Sequence, residues 1–115
     1  MSRRTDRIAE QLRAEIARAL RAEIDDPRIG LVTLTRVDVA PDLSHALVFW
    51  STLAPDSDYS EAEDGLESAA PFLRKILART LPLRRAPELR FRHDPSLEQG
   101  AEMIALLRTL EDGQA

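Results

Sequence analysis

The chain has 115 residues, of which 43% are hydrophobic and 31% charged, the composition of one folded domain and not of a disordered segment. It has no cysteine, which excludes disulfides, thiol nucleophiles and thiolate metal sites. Its net charge of −4 argues against a nucleic-acid partner only if the charge is spread evenly, and it is not.

Residues 5–24 are predicted to be a helix, because Ile8, Leu12, Ile16, Leu20 and Ile24 recur every fourth residue opposite an Arg/Glu face. Thr5 is the expected N-cap, and Asp25-Asp26-Pro27 ends the element, since proline disfavours helical geometry at the residue before it. Gly30 supplies a turn into a strand over 31–39, dense in Val and Thr. Ala40-Pro41-Asp42-Leu43-Ser44 carries turn chemistry, and His45 to Leu53 pairs back as the second arm of an antiparallel hairpin. Alternation splits that arm into Ala46, Val48 and Trp50 on one face and Leu47, Phe49 and Leu53 on the other. Both sets are apolar, so either face fits a core.

A polar loop over 54–60 precedes a second helical segment, opened by a Ser60/Glu63 capping box and running to about Leu81. Pro71 lies in its middle. An internal proline removes a backbone hydrogen bond and costs about 3 kcal/mol in a straight helix, so the segment is expected to break or kink at Ala69-Ala70-Pro71. Pro82 stops it, and Glu88–His93 reads as a third strand, with Leu89 and Phe91 facing one way and Arg90 and Arg92 the other. Ser96 with Gln99 is a second capping box, opening a final helix marked by Leu97, Met103, Ile104, Leu107 and Leu110. The order is α-β-β-α-kink-α-β-α, a single α+β domain over 1–115 with about 1–4 and 112–115 expected to be flexible.

Charge is sorted along this order. Residues 1–21 hold six basic and three acidic groups, 22–70 two and eleven, 71–93 seven and one, and 94–115 one and five. The third block (Arg74, Lys75, Arg79, Arg84, Arg85, Arg90, Arg92) surrounds the expected kink, and six of its seven cations are arginine, suited to bidentate phosphate contacts. Helix amides just after Pro71 are further phosphate donors. Arg3, Arg4 and Arg7 form a smaller basic group at the N-terminus. The bland alternative for all of these is a set of solvated faces.

Catalysis has little support. His45 and His93 stand at strand ends, no Ser-His-Asp spacing, His-x-x-x-His or glycine-rich phosphate loop is present, and no metal or cofactor site is expected. The aromatics Trp50, Phe49, Phe72 and Phe91 sit at core-like positions, and Tyr59 lies in a loop. An acidic stretch over 54–67, with Asp56, Asp58, Glu61, Glu63 and Asp64, supports a rival reading: a protein-interaction module that docks a basic partner. The N-terminus lacks the apolar run of a signal peptide and no stretch reaches the roughly 20 apolar residues of a membrane span, so the expected location is the cytoplasm.

The order of motifs resembles the bacterial ribosome-binding factor A family over nearly the whole chain. Asp26-Pro27-Arg28-Ile29-Gly30-Leu31-Val32-Thr33-Leu34-Thr35 is similar to the family's entry into its first strand, and Val37-Asp38-Val39-Ala40-Pro41-Asp42-Leu43 to its hairpin turn, followed by Ala46-x-Val48. Leu73-Arg74-x-x-Leu77, Leu83-Arg84-x-x-Pro87-Glu88-Leu89-x-Phe91 and Asp94-x-Ser96-x-x-x-Gly100 resemble later motifs. The resemblance implies a type II KH-like fold, with an interrupted helix in place of a Gly-x-x-Gly loop. Here Ala69-Ala70-Pro71 stands where the family has Ala-x-Gly. It further implies a monomeric, non-enzymatic factor that binds immature 30S subunits through 16S rRNA, assists late maturation and rRNA processing, and leaves with help from a GTPase.

Overall fold

A computed structural model describes residues 3–52 and 59–113. The elements are α1 (Arg3–Ala22), β1 (Val32–Val39), β2 (His45–Thr52), α2 (Ser60–Thr80), β3 (Glu88–His93) and α3 (Ser96–Gly113). The three strands form one sheet in the order β1-β2-β3, the first pair antiparallel and the second parallel. The α+β architecture read from the sequence is the one observed.

The fourfold stripe of α1 does what its spacing requires. Ile8, Leu12 and Ile16 are buried together with Ala19, while Leu20 and Ile24 pack half-buried at the margin. The helix begins at Arg3, which puts Thr5 inside the first turn and not at the cap. A proposed loose end is thereby partly helical, as is the other, where α3 extends to Gly113. Gly30 adopts φ +59°, the left-handed geometry that reorients the chain from the Asp26–Ile29 turn into β1. The hairpin turn places Leu43 at φ 62°, and its N–H donates to the Ala40 carbonyl at 2.8 Å while Asp42 accepts from the Ser44 N–H at 3.1 Å.

Burial settles the face of β2. Ala46, Val48 and Trp50 point into the core beside Leu34 and Val37 of β1 and Leu89 and Phe91 of β3. Leu47 and Phe49 lie half-buried on the opposite, open face, where the register aligns Arg36, Phe49 and Arg92 across the strands. The Arg36 guanidinium stands 4.2 Å from the Phe49 ring centre. The register of β1 slips between Leu34 and Arg36, and the extra residue, Thr35, donates its hydroxyl to Asp94 at 2.7 Å. Of the aromatics assigned to the core, Trp50 and Phe91 are buried, while Phe72 is exposed on α2.

The segment expected to break or kink at Ala69-Ala70-Pro71 does not break: it is one helix, Ser60–Thr80, with Pro71 inside it. The proline rule is local, whereas Ala62, Gly65, Leu66, Ala69, Leu73, Ile76 and Leu77 form one buried stripe that continues past the proline. Burying several aliphatic side chains at roughly 1.5–3 kcal/mol each outweighs about 3 kcal/mol for one proline. Neither capping-box serine occupies the N-cap position. Tyr59 occupies the N-cap of α2 without a side-chain cap bond, and Ser60 is already helical. At α3 the capping role passes to Asp94, whose carboxylate accepts from the Ser96 N–H at 3.0 Å. Gly65 meets a tight approach: a Cβ there would lie 2.8 Å from Ile29, so the side-chain-free position lets α2 rest on the turn before β1.

Candidate nucleic-acid interface

Helix α2 lies along β3, the edge strand of the sheet, and between them runs an open groove of about 740 Å³. Its α2 wall is the face Glu67, Ala70, Pro71, Arg74, Lys75 and Ala78, a helical i, i+3/i+4 series. Its other wall comes from Arg85 and Ala86 in the connection and from Glu88, Leu89 and Arg90 of β3. The floor is small and apolar; the rim carries four cations against two carboxylates.

The strand contributes backbone as well. The Phe91 N–H points away from β2 and donates to the Glu67 carboxylate at 3.4 Å, whereas the Glu88 and Asp94 N–H groups turn inward to the Ser44 and Trp50 carbonyls. By strand alternation Leu89 also presents its N–H and carbonyl to the groove. Cationic side chains, an apolar floor and backbone donors and acceptors outside the sheet ladder are what a single-stranded nucleic acid needs for its phosphates, bases and base edges respectively.

The seven cations of the third charge block do not all meet there. Arg74, Lys75, Arg85 and Arg90 line the groove. Arg74 is partly committed to holding the fold, since its Nε donates to the Ala86 carbonyl at 3.1 Å and ties α2 to the connection. Arg90 pairs with Glu88 at 3.1 Å. Arg92 lies on the open sheet face beside Phe49, and Arg79 and Arg84 are exposed without lining the groove. The N-terminal group stands apart: α1 packs on β1, at the other edge of the sheet, and Arg4 lies with Pro41, Asp42 and Leu43 at the hairpin turn. Arg7 is exposed on α1, and the side chain of Arg3 is outside the described residues. Ala69 faces the core; Ala70 and Pro71 face the groove. In the acidic stretch, Glu61, Glu63 and Asp64 are carried on α2, with Glu61 and Asp64 exposed and Glu63 half-buried, while Asp56 and Asp58 lie outside the described residues.

A second constellation escaped the sequence reading. At the far ends of β2 and β3 the Tyr59 ring stacks on His93, with centres 3.9 Å apart, and both meet buried Trp50 edge-on. Glu98, in the first turn of α3, accepts from the Ser51 hydroxyl, from the Thr52 N–H at 3.3 Å, and contacts His93 Nε2 at 2.9 Å. Burial alone would raise the Glu98 pKa, but those donors outweigh it and hold the carboxyl down at about 2. The sequence had pointed to His93 with its neighbour Asp94; the partner lies one helical turn further on. Among the described residues no group of His, Asp and Glu has the arrangement of a metal site, and no helix is long and apolar enough to cross a membrane.

Known proteins resemble this chain in sequence and in fold. Ribosome-binding factor A from Pseudomonas syringae pv. syringae is 45% identical over 115 residues, covering 96% of this chain and 83% of the relative. The crystal structure of ribosome-binding factor A from Thermus thermophilus superposes with a TM-score of 0.69 at 28% identity, over 77% of this chain and 93% of that one. A homology model of the Thermus thermophilus factor, fitted into a cryo-EM map of its complex with 30S, superposes with a TM-score of 0.64 at 29% identity, over 76% of this chain and 91% of that one. The likeness makes the fold KH-like. Since the family model for ribosome-binding factor A also matches residues 4–107, the chain belongs to that family.

Proposed function

We propose that this protein binds immature 30S subunits by seating a single-stranded segment of 16S rRNA in the α2–β3 groove. The observation that carries the reading is the convergence of Lys75, Arg85 and Arg90 on a cleft whose strand wall offers backbone groups that the sheet does not use. Phosphates take the rim, and bases lie against Ala70, Pro71 and Leu89. Family membership and the fitted 30S complex of the Thermus thermophilus factor support the particle as partner. The protein acts by binding and not by turnover, in late maturation and processing of the rRNA; it works in the cytoplasm as one copy per particle, and a GTPase assists its release.

The test is co-sedimentation with gradient-purified 30S subunits and binding to naked 16S rRNA. Lys75→Glu/Arg85→Glu/Arg90→Glu spares Arg74, which the fold uses. It is expected to weaken both associations by about 100-fold or more and to flatten the salt dependence by about three contacts, with an unchanged circular-dichroism spectrum. Wild-type affinity in the folded triple variant would refute the reading.

A further inference from the structure

The sheet face turned away from α1 and α2 is small and patterned. Leu47 and Phe49 of β2 are half-buried there, and the register sets them in the rows Asp38–Leu47–Arg90 and Arg36–Phe49–Arg92. Two apolar side chains ringed by charge are too little for the dry centre of a protein–protein interface. They suit a single nucleotide, which takes a ring to lie against and a cation for its phosphate.

The two arginines of the middle row have different parts. In regular pairing Thr35 would oppose Phe49, and Arg36 would point into the core. The bulge at Thr35 shifts the phase and delivers Arg36 to the open face, where its guanidinium covers one flank of the Phe49 ring at 4.2 Å. Asp38 holds it there through an ion pair at 3.2 Å. Arg92 comes from the other side, on β3, and is exposed with no ion pair among the described residues. The ring therefore has one flank taken and the other turned toward an uncommitted guanidinium. A planar base fits that slot, stacked on Phe49 with Arg92 closing on the base and its phosphate.

The slot adjoins the α2–β3 groove, because β3 is the edge strand and serves both. Arg90 lines the groove and belongs to the row next to Arg92. Neighbouring strands lie about 4.8 Å apart, so Phe49 stands one strand in from that edge. We propose that the Arg36–Phe49–Arg92 row is a second RNA subsite, which stacks one base of the single strand where it leaves the groove and wraps over β3. The proposal deepens the function given above and rests on it for the identity of the RNA.

Binding to naked 16S rRNA is expected to weaken about 10-fold in Phe49→Leu with its salt dependence unchanged, since a stack and not a charge is lost. Arg92→Gln should also weaken binding, and should flatten the salt dependence by about one contact. Arg92 makes no ion pair that the fold uses, so its result stands even where Phe49→Leu is less stable. Position is read separately, by photo-cross-linking 30S complexes of two proteins, one with a benzophenone side chain in place of Phe49 and one with it in place of Ala70 in the groove. Both are expected to reach 16S rRNA, within a few nucleotides of each other on one strand. RNA reached from position 49 alone would leave the slot standing and remove the groove. RNA reached from position 70 alone, or wild-type affinity in both Phe49→Leu and Arg92→Gln, would overturn the slot and spare the groove. A position 49 that reaches a ribosomal protein or nothing, or an rRNA segment distant from that of position 70, would overturn the proposal as well.

Discussion

Helices α2 and α3 are similar in length and both carry leucines at helical spacing, yet one is a wall of the core and the other stands in water. On α2, Leu66, Leu73, Ile76 and Leu77 are 0–1% exposed. On α3, Leu106, Leu107 and Leu110 are more than half exposed. The difference lies in what the chain can bring to each stripe. Helix α2 returns across the sheet after a long connection and meets β3 and α1, whereas α3 leaves the last strand through a two-residue turn and touches the body chiefly at β2. An apolar stripe is a demand for burial, and the topology decides whether the same chain or another molecule satisfies it.

Trp50→Ala should sharpen that contrast most. The indole is fully buried on the middle strand, near the ends of β2 and β3, and touches His93 and Tyr59 edge-on. Removing it is expected to cost about 3–5 kcal/mol, a large share of the stability of a domain this size, read as a fall in the denaturant midpoint. A loss below about 1 kcal/mol would mean that the strand ends repack freely and that the aromatic group is not part of the core.

Much of the core was legible in the sequence because it is written in local periods. The fourfold series of α1 and the alternation of β3 each point one way, and burial follows them residue by residue. What the periods did not show is tertiary. Both faces of β2 are apolar in part, and only the helices on one side make Ala46, Val48 and Trp50 the inner set. The continuity of α2 through Pro71 is decided by a buried stripe longer than the window in which a proline rule operates. The basic block was visible as composition, but its division was not: strand alternation sends Arg92 to the open sheet face, helix phase turns Arg79 outward, and four of the seven cations gather in the groove. The Glu98 contacts join residues 46 and 47 positions apart, beyond any short-range pattern.

Glu98 marks the boundary between the packed body and the free helix, and acid should find it. Its carboxyl is held at about 2, below the ordinary 4.5, so the folded state prefers the ionised form. The associated stability is fully present above about pH 4.5 and is lost as pH falls toward 2, because the unfolded chain takes up the proton first. Glu98→Gln is expected to lose roughly 2 kcal/mol at neutral pH, allowing for partial exposure, and to show a flatter stability profile across that window than wild type. Thermal melts of both proteins from pH 7 to pH 2 measure it. Curves that stay parallel throughout would show that the Ser51, Thr52 and His93 contacts do not favour the carboxylate.

The smallest effect is the most discriminating. Leu107→Ala removes as many atoms as any core leucine truncation, yet its side chain is 52% exposed on a helix whose free part stands in water along its length. Alanine is also the better helix former, so the substitution gains a few tenths of a kcal/mol in propensity against a small loss of partial burial. Its stability should therefore change by no more than about 0.5 kcal/mol, read from the unfolding midpoint, against roughly 2–5 kcal/mol for Leu66→Ala on α2. A leucine that is silent on truncation stands outside the core. A leucine that costs several kcal/mol belongs to the core, and α3 would then fold back on its own body in solution.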